Sequence, residues 1–395
     1  MRVLLHTQWG LKENFVGGTE RFVINLAKGI KKRGDEAFVV CSNLEDLILV
    51  EGVQVYGMVP LEYRDKIMEY GYANEHFFKN EIIGHKIDFN SISLFSSYVW
   101  AQLHEFNFDI AHLNSFLCCS LFPNNNILSK MIATNHENDL ELDHYWGNKS
   151  FLTLTELVKH NTSLKKLKER IVPSKYYSKM FTNLWDMPVI SIPLGVDIDH
   201  LDKFSRNEEL RREYASDEGI VILLPSRFDI QQKGHDIAVK ALSILKKKGV
   251  KFRCIFSGFD RDTYGVNFEN FKQLVKEYDV EKEITLTRFD NMLDAYGVCD
   301  IVISPERFCS YGLAISESLA LGLPTILTPI PTYLEIASNY DHAYFTIDHS
   351  PEELTNRILE IINSHLGINY LEAQRFRENN SFKKCVDKYY LIYRS

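Results

Sequence analysis

Ile220-Val221-Ile222-Leu223-Leu224 is an unbroken apolar run that passes into Pro225-Ser226-Arg227-Phe228-Asp229-Ile230-Gln231-Gln232-Lys233-Gly234. A strand with one wet face alternates apolar and polar residues, whereas a strand covered on both faces does not. The run therefore reads as a central strand of a parallel sheet with helices on either side. Downstream, Ile237, Ala238, Ala241, Leu242 and Leu245 fall on one face of a helix that Gly249 ends. Further short apolar runs predict strands at Phe252 to Phe256, Ile284 to Leu286, Ile301 to Ile303 and Thr325 to Leu327.

Upstream the same alternation holds. Val3-Leu4-Leu5, Phe38-Val39-Val40-Cys41, Ile110 to Leu113 and Met131 to Thr134 read as strands. Phe22, Val23, Leu26, Ala27 and Ile30 mark the inner face of a helix closed by Gly34. Two such series in succession predict an α/β chain of two Rossmann-like, doubly wound domains. The turn Pro193-Leu194-Gly195-Val196-Asp197 marks the join, with 1–196 before it and 197–375 after it. The segment 55–108 is rich in aromatics without clear periodicity, and its structure stays open.

A chain of 395 residues suits two domains of ordinary size. With 45% hydrophobic and 25% charged residues, disordered and fibrous classes drop out. The net charge of -8 argues against a general nucleic-acid binder, which needs a basic field. Met1-Arg2-Val3-Leu4-Leu5-His6 is too short for a signal-peptide core, and no later run approaches the roughly eighteen apolar residues of a membrane helix. The seven cysteines are scattered, without C-x-x-C or Cys/His clusters, so neither zinc site nor disulfide framework is indicated. A reduced, cytoplasmic protein without a metal is expected.

Three loops carry candidate chemistry. Val16-Gly17-Gly18-Thr19-Glu20-Arg21 opens the first helix, where glycines admit a ligand to the free N–H groups. The alternative is a plain turn with Thr19 as N-cap. In the second loop Arg227 and Lys233 are spaced to clamp a diphosphate leaving group; otherwise they are solvated loop cations. The third runs from Ser304 through Pro305-Glu306-Arg307-Phe308-Cys309-Ser310-Tyr311-Gly312-Leu313 to Glu317. A carboxylate amid apolar helix neighbours is costly unless it accepts hydrogen bonds, and ribose hydroxyls would supply them. Residues eight apart span about 12 Å along a helix, so position 309 and Glu317 are expected to flank a pyrophosphate. The bland reading of Glu317 is an internal structural acceptor.

Together these loops resemble those of the retaining GT-B glycosyltransferases of family GT4. Gly17-Gly18-Thr19-Glu20-Arg21 is similar to the family's amino-terminal Gly-Gly-x-Glu-Arg loop. Phe108-Asp109-Ile110-Ala111-His112, Thr134-Asn135-His136-Glu137, Val172-Pro173-Ser174 and Pro193-Leu194-Gly195-Val196-Asp197 resemble its next landmarks in order. Arg227 and Lys233 match the pair that holds the donor diphosphate, and Glu317 matches the second Glu of E-x7-E. The first Glu of that motif is Cys309 here, with Glu306 three residues earlier. That departure leaves donor-sugar recognition open.

The resemblance implies two domains facing a central cleft. The first would bind acceptor, the second nucleotide sugar, and a final helix over about 376–395 would pack back on the first. It further implies retaining transfer from a nucleotide sugar, UDP-linked by default, with no metal and no cofactor. His136, Arg227 and Lys233 would be catalytic. Gly17, Gly18, Glu306, Cys309, Ser310, Gly312, Leu313 and Glu317 would bind donor. Glu137, Asp139 and Glu141, with Asp143, make an acidic stretch that would attract a cationic acceptor such as an aminocyclitol or amino sugar. The rival acceptor is a polysaccharide or lipid-linked glycan, for which the basic stretch Lys159 to Arg170 offers a peripheral membrane contact. Other classes to weigh are a non-catalytic nucleotide-sugar-binding protein and a sugar-nucleotide epimerase.

Overall fold

The computed structural model describes residues 1–7, 11, 18–41, 47–58, 89–123, 126–136, 155, 163–214, 219–258 and 265–395. The chain divides into two compact units, one of Met1–Leu194 with Lys383–Ser395 and the other of Gly195–Phe382.

The first unit is built on β1 (Arg2–His6), β2 (Glu36–Cys41), β3 (Leu47–Val50), β4 (Val53–Gly57), β5 (Ile110–Leu113), β6 (Met131–Thr134), β7 (Glu169–Val172) and β8 (Ile190–Ser191). These form one eight-stranded sheet in the order β3-β4-β2-β1-β5-β6-β7-β8. Val3, Leu4 and Leu5 are fully buried at its centre, because helices cover both faces of an apolar strand. The parallel pattern is broken at one edge, where β3 runs antiparallel to β4. Glu51 (φ 48°) and Gly52 (φ 80°) make the connecting turn, and two successive positive φ values give the twist a tight hairpin needs. The helix Gly18–Lys31 buries Phe22, Val23, Leu26, Ala27 and Ile30, the face predicted from their spacing.

The last helix, Phe382–Arg394, buries Cys385, Val386, Tyr389 and Tyr393. A Cβ on Gly29 would lie 2.7 Å from Val386 Cγ2, so glycine lets the two helices approach closely. Tyr393 and Tyr389 carry their hydroxyls to His112 Nδ1 (2.7 Å) and Thr134 Oγ1 (3.0 Å). Asp35 is bonded by Tyr390 and by Arg394 Nη2, the latter at 2.9 Å.

The second unit carries β9 (Ile220–Pro225), β10 (Phe252–Ser257), β11 (Ile284–Thr287), β12 (Ile301–Ser304), β13 (Thr325–Leu327) and β14 (Ala343–Phe345). All pairs are parallel, in the order β11-β10-β9-β12-β13-β14. The chain moves outward from β9 to β11, then returns to the other side of β9 as β12. The crevice above β9 and β12 is thus the topological switch point, where open α/β sheets bind ligands. In the first unit the corresponding point lies above β1 and β5.

The strands entering and leaving the second unit are stitched together. Val196 N–H donates to Asn380 O (2.7 Å), and Phe382 N–H donates to Val196 O (2.7 Å). Gly195 (φ 71°) would place a Cβ 2.8 Å from the Ser381 carbonyl, so only glycine fits. The helix Tyr370–Asn380 lies within this unit.

Candidate active site

Above β9 the loop turns through a short helix, Ile230–Lys233, capped by Asp229 Oδ1 accepting from Gln232 N–H at 2.9 Å. Gly234 (φ 68°) follows, and a Cβ there would sit 2.0 Å from Pro305 O. Only a glycine lets this loop lie directly on the loop above β12. Hydrogen bonds lock the two together: Arg307 N–H donates to Gln232 O (2.9 Å), and its guanidinium grips both oxygens of Asp236 (2.9 and 2.7 Å). Beneath them His235 bonds Asp229 O through Nδ1 at 2.9 Å, its ring packed by Phe228, Phe256 and Phe271. Burial pushes this imidazole down to about 4, so it stays neutral in the core.

This docking brings Lys233 Nζ within 2.8 Å of Glu306 Oε2, with side chains only 14% and 6% exposed. Burial disfavours the ammonium charge, yet the attraction of Glu306 outweighs it and holds Lys233 above the ordinary lysine value. Glu306 also acts on the buried Cys309 thiol and Tyr333 hydroxyl. Burial first, then the Glu306 charge, raises Cys309 to about 12, so its sulfur is a neutral S–H rather than a thiolate. Tyr333 is raised by the same two causes and bonds Ser304 Oγ at 2.9 Å. Thus, where a carboxylate was expected at position 309, the structure places a neutral thiol beside the carboxylate of Glu306.

Arg227 is 56% exposed and held at the loop by Gln232 Oε1 (2.5 Å) and Asp229 Oδ2 (3.6 Å). Its head group is anchored but open to solvent. The helix Leu313–Ala320 starts at Gly312 (φ 91°), which has no side chain to cap the first turn. A Cβ on Gly312 would meet Tyr333 Cε1 at 2.7 Å. Ser310 and Leu313 are partly exposed beside it. One expectation needs correcting: residues 309 to 312 form a loop, so the helical spacing from 309 to Glu317 does not apply. Glu317 is half-buried, and its Oε2 accepts from Tyr296 O–H at 3.1 Å.

In the first unit Gly18 begins its helix and is exposed, so Thr19 lies in the first turn rather than at the N-cap. Gly17 lies outside the described residues, as do Glu137, Asp139 and Glu141. His136 follows β6, with Nε2 3.0 Å from Asn114 Oδ1 and the Phe22 ring 4.9 Å away. It keeps a partly accessible edge, while its dense surroundings push the imidazole down to about 3. Within the basic stretch, Lys165 and Lys166 are exposed but Arg170 is buried, donating to the carbonyls of Leu167 (2.8 Å) and Pro188 (3.0 Å). Arg170 is therefore a structural donor rather than part of a solvated face.

Asn114, Gln232, Asp236 and Tyr333 were not found from the sequence. Asn114 alone carried a usable signal, since it directly follows the strand Ile110–Leu113. Among the described residues no group of three or more His, Cys, Asp or Glu is placed to hold a metal ion. Nor is any described helix long and apolar enough to cross a membrane.

The family described as "Glycosyl transferases group 1" matches residues 206–381, and "Glycosyltransferase Family 4" matches residues 16–200. An uncharacterized 41.2 kDa protein in the cps region of Klebsiella pneumoniae is 23% identical over 316 residues, covering 73% of this chain and 79% of its own. The O-antigen biosynthesis glycosyltransferase WclY of Escherichia coli is 24% identical over 165 residues, which is 41% of this chain and 43% of that protein. Sucrose-phosphate synthase from Thermosynechococcus elongatus superposes with a TM-score of 0.77 at 15% identity, covering 100% of this chain and 98% of that one. HepE of Anabaena, in complex with UDP and glucose, gives 0.69 at 16% identity, covering 99% and 98%. Such likenesses at low identity speak for the fold, which is GT-B. With both sheets, their switch points and the two family matches taken together, the chain belongs to the group 1 glycosyltransferases of the family 4 type.

Proposed function

We propose that this glycosyltransferase moves a hexose or N-acetylhexosamine from a UDP-linked donor to an acceptor hydroxyl, with retention at the anomeric carbon. The observation that carries the reading is the buried Lys233, fixed 2.8 Å from Glu306 at the switch point of the second sheet. A buried cation aimed at a ligand-binding crevice is suited to a departing diphosphate, because low local dielectric strengthens its pull. Arg227 supplies a second, solvent-accessible cation from the same loop. The N–H groups of the first turn after Gly312 face the same charge. The departing phosphate oxygen would then take the acceptor proton, so that the protein needs no carboxylate pair of the glycosidase kind.

On this reading Glu317 bonds the ribose, with Tyr296 holding its second oxygen in place. Glu306 stands in for the missing carboxylate at 309 and accepts from the donor sugar, while in the first unit His136 is suited to orient a sugar hydroxyl. UDP is favoured because HepE, similar in fold, is described in complex with it. Thermal-shift measurements with UDP-, GDP- and ADP-sugars test the base, since a ligand that binds the folded state raises Tm. Product analysis then tests the chemistry. A transferred sugar with the donor's anomeric configuration supports the reading; inversion, epimerised donor, or binding without turnover each refutes it.

For the acceptor, a growing glycan is the preferred choice, supported by the likeness to an O-antigen biosynthesis glycosyltransferase. A cationic small-molecule acceptor rests on Glu137, Asp139 and Glu141 alone. Competition assays with glycan and aminocyclitol acceptors separate the two. A cytoplasmic location belongs to the same reading and agrees with seven cysteines that all carry free, buried thiols.

A further inference from the structure

Three strand ends meet above the first sheet: His6 closes β1, Asn114 follows β5, and His136 follows β6. Asn114 is buried, and its Nδ2 donates to His6 O at 2.7 Å. That bond decides which way the amide faces, because the opposite orientation would set two carbonyl oxygens against each other. Asn114 Oδ1 is therefore the atom 3.0 Å from His136 Nε2. An oxygen acceptor at that distance requires the imidazole to carry its proton on Nε2. The other ring nitrogen, Nδ1, is then an unprotonated lone pair.

The anchor of this arrangement is itself anchored. His6 Nε2 lies 3.0 Å from Gln102 Oε1, and Gln102 Nε2 donates to Met58 O at 2.6 Å. The same reasoning applies there: Gln102 Oε1 is turned to His6, so His6 too is held with its proton on Nε2. A chain of hydrogen-bonded polar groups thus runs from the backbone of Met58 to the His136 ring. Phe22 packs against that ring at 4.9 Å and limits its rotation. Among the described residues, the titratable groups linked to this arrangement are His112 on β5 and His6 on β1, with Tyr389 of the last helix reaching Thr134; none of these is a carboxylate.

We propose that Asn114 is a positioning residue that holds His136 in the Nε2–H tautomer, presenting Nδ1 as a hydrogen-bond acceptor to a sugar hydroxyl bound above the first sheet. The tautomer follows from the hydrogen bonds alone; the role of Nδ1 rests on the function proposed above. A ring that accepts at Nδ1 selects a hydroxyl donor over a substituent that lacks one, since a bound group that covers the lone pair without donating to it leaves it unpaired.

The test has two arms. In full-length protein labelled with ¹⁵N-histidine, the His136 signal, assigned by its loss in His136→Gln, should report the Nε2–H tautomer near neutral pH. In Asn114→Ala it should shift toward a mixture of tautomers. An Nδ1–H ring in the wild type, or an unaltered ring in Asn114→Ala, overturns the proposal whatever the protein catalyses. In the second arm, Asn114→Ala should lower kcat by about a hundredfold, the scale of a misaligned reacting group, with a smaller change in KM. Asn114→Asp should retain activity at high pH and acquire a new acid limb, because its carboxylate favours the imidazolium, whose Nδ1 can no longer accept. A flat profile in Asn114→Asp, with folding intact by thermal unfolding, shows that Asn114 is only structural. Failure of every nucleotide sugar to react in the wild type would refute the proposed function and leave the tautomer assignment standing.

Discussion

Above β1 and β5 of the first sheet the converging side chains are neutral among the described residues: Asn114 joins His6 O to His136, and no described carboxylate or ammonium takes part. Above β9 and β12 of the second they are charged, with Lys233 against Glu306 and Arg227 at the rim. The two crevices have the same topological origin, so the contrast comes from side chains rather than from fold. Neutral groups orient a ligand by hydrogen bonds whose direction matters. Charged groups hold an anion by attraction that is long-ranged and less directional.

Several substitutions would sharpen or break that contrast. The largest effect is expected for Lys233→Ala, which removes the buried cation and leaves Glu306 uncompensated. Turnover should fall by about 10²- to 10³-fold, and stability in chemical denaturation by about 3–5 kcal/mol. Adding Glu306→Gln should recover part of the stability and none of the turnover. Recovery of turnover as well would mean that Lys233 serves the fold and not the leaving group.

Gly234→Ala comes next. Its Cβ would collide with Pro305 O, at 2.0 Å, in a backbone conformation with φ of 68°. A loss of about 2–4 kcal/mol is expected, of the size seen when backbone strain and overpacking combine. Thermal unfolding measures it, and a Tm equal to the wild type would deny that the two loops dock. Arg227→Ala should separate the two roles of the charged crevice: turnover lower by about a hundredfold, stability within about 0.5 kcal/mol, as befits a side chain 56% exposed.

The most gradual effect concerns pH. His235 sits at about 4 when folded against an ordinary value of 6.5. Its folded form resists protonation, so the unfolded chain binds more protons below 6.5, and stability falls as pH drops from about 6.5 toward 4. This residue adds at most about 1.4 kcal/mol per pH unit to that slope. Denaturation curves across the window should be flatter in His235→Phe. An unchanged slope would place the acid sensitivity elsewhere, with His112 the next candidate, which burial and then the nearby His136 hold well below 6.5.

Legibility largely followed burial, although the edge strand β11, with no fully buried residue, was read from its apolar run. Ile110–Leu113 and Met131–Thr134 have in the structure the bounds that their apolar runs predict, because both strands lie inside the sheet. The edge strands β3 and β14 went unread. Leu47 and Leu49 are exposed on β3, where burial imposes no pattern, and β14 is only three residues long. β7 carries Glu169 and Arg170 among its four residues and so breaks the apolar run, although Arg170 turns out to be buried on carbonyl oxygens. In the candidate site, Arg227, Lys233 and Glu317 could be named from their place after strands or within a helix. Asn114 shares that place after a strand, but its role and that of Tyr333 could not be read, since each matters through a partner distant in the chain.

The sequence by itself determined the alternation of covered strands and amphipathic helices, the glycines at the turns, and so the doubly wound architecture, all of which are local and short in range. Only the tertiary structure decided that Lys233 meets Glu306, that the Glu306 charge bears on the buried Cys309 thiol, and that Asn114 chooses the His136 tautomer. Those outcomes depend on distances of about 3 Å between residues on different strand ends. No periodicity along the chain encodes such distances; they exist once the sheets have brought their carboxyl ends together.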